Sequence, residues 1–180
     1  MPFFDREFKE IFSAELISIF GGLLVGIALA IYTDKLLLIP GMLILLPGFL
    51  EMRGNISGSL ASRISSGLFL KVITLKKPRS RIIQGNLIAS FLLAFIVTLS
   101  LGMIAFLLTL ALFHVTEPVL IILPVLAGII ANIIQIPLTL ALTFYLFKRG
   151  HDPNNIMGPF LTSSGDVISI FALLLTLVIL

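Results

Sequence analysis

Apolar residues along this chain gather into five long runs parted by short polar punctuation, at about 11 to 33, 36 to 70, 82 to 113, 118 to 147 and 155 to 180. Each run reaches the roughly 20 residues that a helix needs to cross a bilayer core, so the pattern predicts an all-α integral membrane protein, a bundle of five transmembrane helices. At about 1.5 Å per residue the second run is longer than a straight crossing requires and must tilt, bend or extend into the cytosol. Pro40, Pro47 and Gly48 offer the bends. The longest polar stretch is too short to fold alone, so residues 1–180 read as one transmembrane domain with no soluble regulatory domain.

Composition sharpens this reading. With 58% hydrophobic and 12% charged residues and a mean hydropathy of +1.18, a water-soluble fold is excluded, because too little polar surface remains to cover it. The lipid bilayer is the solvent. The chain has no cysteine, which removes disulfides and thiolate metal sites. His114 and His151 flank expected membrane boundaries rather than standing at helical spacing, which argues against zinc or haem ligation.

The net charge of +3 reports topology. Lys71, Lys76, Lys77, Arg79 and Arg81 crowd the loop after the second run, and Arg6, Lys9, Lys148 and Arg149 fall on the same side by alternation. The opposite side carries only Lys35 and the acidic turn His114 to Glu117. The positive-inside rule then predicts a multi-pass protein of the cell membrane with a cytoplasmic N-terminus and with Leu180 outside. Residues 1–10 are too mixed in charge to open a signal peptide and are expected to form a short amphipathic lead on the membrane surface. The basic loop lacks interleaved aromatics, so no nucleic acid partner is expected.

Charges inside the apolar runs are the candidate chemistry, since a carboxylate near the bilayer centre costs several kcal/mol unless it is paired, hydrated or ion-bound. Asp166 lies about eleven residues, roughly 16 Å, into the last run, and Glu51 holds a similar middle position in the second. Helical spacing places Asn155, Pro159, Thr162, Asp166 and Ser169 on one stripe, and Glu51, Asn55, Ser59, Ser62 and Ser66 on another. The remaining faces, with Ile56, Leu60, Ile64, Ile168 and Leu173, suit lipid or neighbouring helices. Oxygen ligands without nitrogen or sulfur suit hard divalent cations, magnesium or calcium above all. One chain supplies few carboxylates, whereas a homodimer with a pore on its twofold axis would present two copies of Asp166 to one ion.

Structural readings stand beside these. Hydroxyls in membrane helices often bond only to backbone, and Gly54, Gly58 and Gly67 can simply let helices approach closely. Arg53 or Arg63 could pair with Glu51, whereas no basic residue lies beside Asp166 in the last run. Asn132 and Gln135 read as interhelical hydrogen-bonders rather than ligands.

The stretch PGFLEMRGNISGSLASRISSG, residues 47–67, resembles the signature of the MgtE-type magnesium transporters and their eukaryotic solute-carrier relatives. The carriers are Pro47, the Gly54–Asn55 pair and the step Ala61, Ser62, Arg63. The stretch HDPNNIMGPFLTSSGDVIS, residues 151–169, is similar to the family's Asp-Pro element and the following intramembrane aspartate, at Asp152, Pro153, Pro159, Thr162, Ser163 and Asp166. The resemblance covers the membrane domain only. It implies a dimeric pore, an ion on the last-helix aspartate, and Asp152 near the cytoplasmic mouth. Three departures accompany it. Ser57 and Ser59 stand where relatives place a glutamine or an acidic residue, so the carboxylate shifts to Glu51. Arg53 lies beside the expected cation path, and the cytosolic magnesium-sensing domains of the bacterial proteins are absent.

The expected function is divalent cation transport, with magnesium as the transported ion and no enzymatic activity. The expected metal-site residues are Asp166, Asn55, Thr162, Glu51, Ser163, Ser59 and Asp152. A sodium- or proton-coupled exchanger and a non-conducting scaffold subunit are the alternatives. An intramembrane aspartyl protease using Glu51 and Asp166 has only the fragment Ser164-Gly165-Asp166 behind it.

Overall fold

The computed structural model describes residues 5–76 and 80–180; Lys77 and Arg79 of the basic loop, and the first four residues of the lead, lie outside them. Five α-helices follow one another: α1 (Arg6–Leu37), α2 (Met42–Phe69), α3 (Arg81–Phe113), α4 (Val119–Lys148) and α5 (Pro153–Ile179). Four of them, α1, α3, α4 and α5, are long and apolar enough to cross a membrane. The exception is α2, whose apolar character is diluted by Glu51, Arg53 and Arg63.

Two boundaries differ from the sequence expectation. The Asp5 side chain accepts from the Phe8 N–H at 2.8 Å, and Arg6 bonds Glu10 one turn on at 3.0 Å. This N-cap and i,i+4 pair make residues 6–10 the first turns of α1, not a separate lead. At the other end, residues 36 and 37 finish α1 rather than opening α2. The chain reverses through Leu38–Gly41, where Gly41 takes φ +82°. A Cβ on Gly41 would fall 1.9 Å from Thr109 Oγ1 of α3, so both the backbone conformation and the close approach require glycine.

Three contacts fix the directions of the helices. Gly41, at the start of α2, meets Thr109 near the end of α3, while the Phe69 and Phe147 rings, at the ends of α2 and α4, stack edge to face at 5.1 Å. Arg6 Nη2, at the start of α1, donates to the Gly150 carbonyl after α4 at 2.6 Å. The five helices therefore alternate in direction, and α2 runs the length of the bundle.

Helices α2, α4 and α5 pack against one another; α3 lies on α2 and α4, and α1 rests mainly on α5. Leu45, Phe49, Leu60, Leu123, Ile136, Leu161 and Leu173 fill the interior between them. The outward faces of α1 and α3 present large apolar side chains, among them Phe20 at 68% and Ile31 at 70% exposure. An apolar sheath of this extent is stable in hydrocarbon and not in water. The chain is a multi-pass membrane protein.

Gly102 sets the approach of α3 to α4, because a Cβ there would lie 2.8 Å from the Leu120 carbonyl oxygen and 3.0 Å from Ile121 Cα. Backbone cannot step aside as a side chain can. The substitution Gly102→Ala is expected to destabilise the bundle by about 1–3 kcal/mol, read as a lower midpoint of thermal unfolding in detergent; an unchanged midpoint would refute the tight seam.

Candidate functional site

The crossing of α2 and α5 organises the polar residues. A Cβ on Gly54 would lie 3.0 Å from Thr162 Oγ1 and 3.6 Å from Thr162 Cα, and one on Gly165 would lie 3.2 Å from Arg53 Cβ. One glycine on each helix thus brings residues 53–54 against 162–165, a close approach of the kind small residues permit in membranes. Glu51 lies two residues before Arg53 and Asp166 one residue after Gly165, so the two carboxylates flank this crossing.

From there the α2 stripe runs outward along the bundle surface. Glu51, Asn55, Ser59, Ser62 and Ser66 are all exposed, while Ile56, Leu60 and Ile64 on the opposite face are buried. Asn55 Nδ2 donates to Glu51 Oε1 at 3.3 Å. On α5, Thr162 is exposed and Asp166 half-buried, and Thr162 donates to the Gly158 carbonyl at 3.1 Å. Glu51, Asn55, Thr162 and Asp166 share one open face. Ser59 continues it two turns from Glu51, about 12 Å along α2.

Two expected site residues stand elsewhere. Ser163 is buried against α1, where a Cβ on Gly21 would meet Ser163 Cβ at 2.6 Å; Thr162 faces α2, and a step of one residue turns Ser163 about 100° away. Asp152 caps α5, accepting from Asn154 N at 2.9 Å and Asn154 Nδ2 at 3.0 Å. It lies roughly 21 Å along the helix from Asp166. Among the described residues no three His, Asp or Glu side chains converge as a metal cage.

Neither arginine pairs with Glu51. Arg63 donates to the Ser59 carbonyl at 3.3 Å and to Ser90 Oγ at 3.2 Å. Arg53 turns into the bundle, where it is 1% exposed. Its Nη1 donates to Asn132 Oδ1 of α4, and its guanidinium carbon stands 5.2 Å from the centre of the Phe49 ring. Gln135 Nε2 donates across to the Leu161 carbonyl at 3.3 Å. Asn132 and Gln135 are interhelical hydrogen-bonders, as their type and position led us to expect.

Sequence reasoning missed one further cluster. Glu10 Oε1 meets His151 Nδ1 at 2.8 Å, Asn155 Nδ2 donates to Glu10 Oε2 at 3.4 Å, and Arg6 bonds both Glu10 and the Gly150 carbonyl. These groups clasp the start of α1 to the turn between α4 and α5. They are some 141 residues apart in the chain, and no local pattern announces such a contact.

Compared with known families, residues 46–176 match the sequence model of MgtE, the divalent cation transporters. That span is well over half of the chain and takes in most of both α2 and α5. The chain belongs to the MgtE family of divalent cation transporters. No curated protein and no solved structure matches it. The matched region of this MgtE chain begins one residue before Pro47 and includes every residue of the open polar face. Members of the family are transporters rather than enzymes, and their substrates are divalent cations.

Asn132 is the one hydrogen-bond acceptor of Arg53 among the described residues, so Asn132→Leu would leave the guanidinium with only the Phe49 ring. The expected loss of stability is about 2–4 kcal/mol, measurable as a lowered thermal midpoint in detergent. Retention of the parent midpoint would show that this hydrogen bond holds nothing together.

Proposed function

We propose that two copies of this MgtE chain form a pathway for magnesium along their twofold axis, with Asp166 as the central carboxylate. The observation that carries the reading is the open face formed by Glu51, Asn55, Thr162 and Asp166. It is a polar strip at mid-length on a surface otherwise sheathed, among the described residues, in apolar side chains, and its carboxylates have no ion-pair partner among them. Carboxylates do not face lipid bare; a second copy covers the strip, and a hydrated cation neutralises it.

The donor set supports the choice of cargo. Magnesium dehydrates reluctantly and is held through one or two carboxylates with water filling the remaining positions, which suits an open face better than a closed cage. Asp166 and Glu51 supply charge, while Asn55 and Thr162 supply oxygens directly or through water. Ser59 extends the path along α2. Ser163 contributes packing against α1, and Asp152 sets the start of α5 at one mouth.

All five helices cross the membrane in this reading, α2 with its apolar side against α3, α4 and α5 and its polar side toward the second copy. Arg6, Lys9, Lys71, Lys76, Arg81, Lys148 and Arg149 share one end of the bundle, and Lys35 is the one lysine or arginine among the described residues at the other. This supports a cytoplasmic N-terminus and an external C-terminus at the cell membrane.

Purified chain in proteoliposomes should take up magnesium without a sodium or proton gradient. Asp166→Asn keeps shape and removes charge, and should lower the flux about tenfold or more. Flux equal to the parent's would remove Asp166 from the pathway, and a silent parent would remove the pathway itself. The twofold arrangement has its own test. Because the chain has no cysteine, Ser62→Cys supplies a single reporter on the open face, and a short bis-maleimide should give a covalent dimer in membranes. A control at Ile31→Cys on the lipid-facing side of α1 should not; equal yields at both positions would overturn the assignment of the interface.

A further inference from the structure

Among the described residues Arg53 is the only charged side chain that is fully buried. It is also under-bonded: Nη1 has Asn132, but Nε and Nη2 find no acceptor, and no carboxylate lies within ion-pair distance among the described residues. Room for it is made by glycines on two other helices. A Cβ on Gly128 of α4 would stand 3.2 Å from Nη2, and one on Gly165 of α5 would stand 3.2 Å from Arg53 Cβ.

The position is as telling as the burial. Arg53 follows Glu51 by two residues, a turn of about 200°, so the guanidinium sits behind the carboxylate face at the same level of the bundle. Gly165, against which it packs, immediately precedes Asp166. A guanidinium stays charged in proteins, and this one is anchored two residues from Glu51 and packed on the residue that precedes Asp166, in an interior where charges are screened less than in water.

We propose that Arg53 sets the affinity of the pathway: a fixed positive charge behind Glu51 and Asp166 that cancels part of their field, so that a divalent cation is held weakly enough to leave. The inference rests on the reading of that face as a cation path between two copies. In such a pair four carboxylates and two guanidiniums leave two negative charges, which one divalent cation neutralises. Without the guanidiniums a single ion would face an excess of two negative charges and would be bound too tightly to pass on. Conduction needs binding strong enough to admit the ion and weak enough to release it.

The test is the dependence of uptake on magnesium concentration in proteoliposomes, for the parent, R53M, N132D and R53K. R53M removes the charge. N132D leaves the arginine in place and sets a carboxylate against it, which cancels the charge while strengthening the contact. Both should lower the half-saturating magnesium concentration about tenfold and reduce the maximal rate, whereas R53K, retaining the charge, should stay near the parent's half-saturation. A purely structural arginine would leave N132D with the parent's half-saturation, and that result would overturn the inference even if R53M failed to fold. An R53K variant that behaves as R53M would overturn it as well, because charge would then not be the operative property. A parent that carries no magnesium would remove the pathway and this inference with it, an outcome told apart from the others by the parent's own flux.

Discussion

A charge in a lipid-clad bundle must be met by protein, by water or by an ion, and α2 meets that constraint in two opposite ways within three residues. Glu51 points away from the bundle and keeps only Asn55 for company. Arg53 points inward and takes Asn132, the face of Phe49 and space cleared by two glycines. The 3.6-residue turn of the helix makes this division possible, since positions two apart lie on opposite faces. The packing of α4 and α5 follows from it: Gly128, Asn132 and Gly165 all stand where the guanidinium must be accommodated.

The arrangement of helices is consistent with that demand. The least apolar helix, α2, packs its apolar side against α3, α4 and α5, whereas α1 and α3, the least buried of the four apolar helices, stand at the periphery. Five buried threonines are spent locally: Thr98, Thr109, Thr139, Thr143 and Thr176 each donate to the carbonyl four residues back, whereas the buried hydroxyls of Ser65 and Ser169 find no partner among the described residues. These threonines satisfy themselves, whereas the carboxylates on the open face of α2 and α5 have no ion-pair partner among the described residues. That is why composition alone, rich in hydroxyl residues throughout, does not locate the site, and why the two carboxylates do.

The helices were legible because hydrocarbon demands long uninterrupted apolar runs, a signal that survives in a single sequence. The reversal at Leu38–Gly41 was obscured because apolar residues continue straight through it; the Pro40–Gly41 pair was the available sign. Spacing placed Glu51, Asn55, Ser59, Ser62 and Ser66 on a single strip, and on the structure they form one exposed face. Thr162 and Asp166 join them, but Ser163 does not, since adjacency in a helix means divergence in space. Arg53 was weighed as a partner for Glu51, although a two-residue separation already turns it to the far side. The clasp of Glu10 and His151 had no counterpart in the sequence pattern, because it depends on how α1 lies against α5.

The bond from Arg53 to Asn132 spans 79 residues, and this bears on how the chain is made. When α2 leaves the ribosome, the acceptor for its guanidinium has not yet been synthesised, and neither has the glycine on α5 that accommodates it. The interior contacts of α2 are therefore complete only once the last two helices are in place, so what holds the back of the polar face is supplied by the end of the chain.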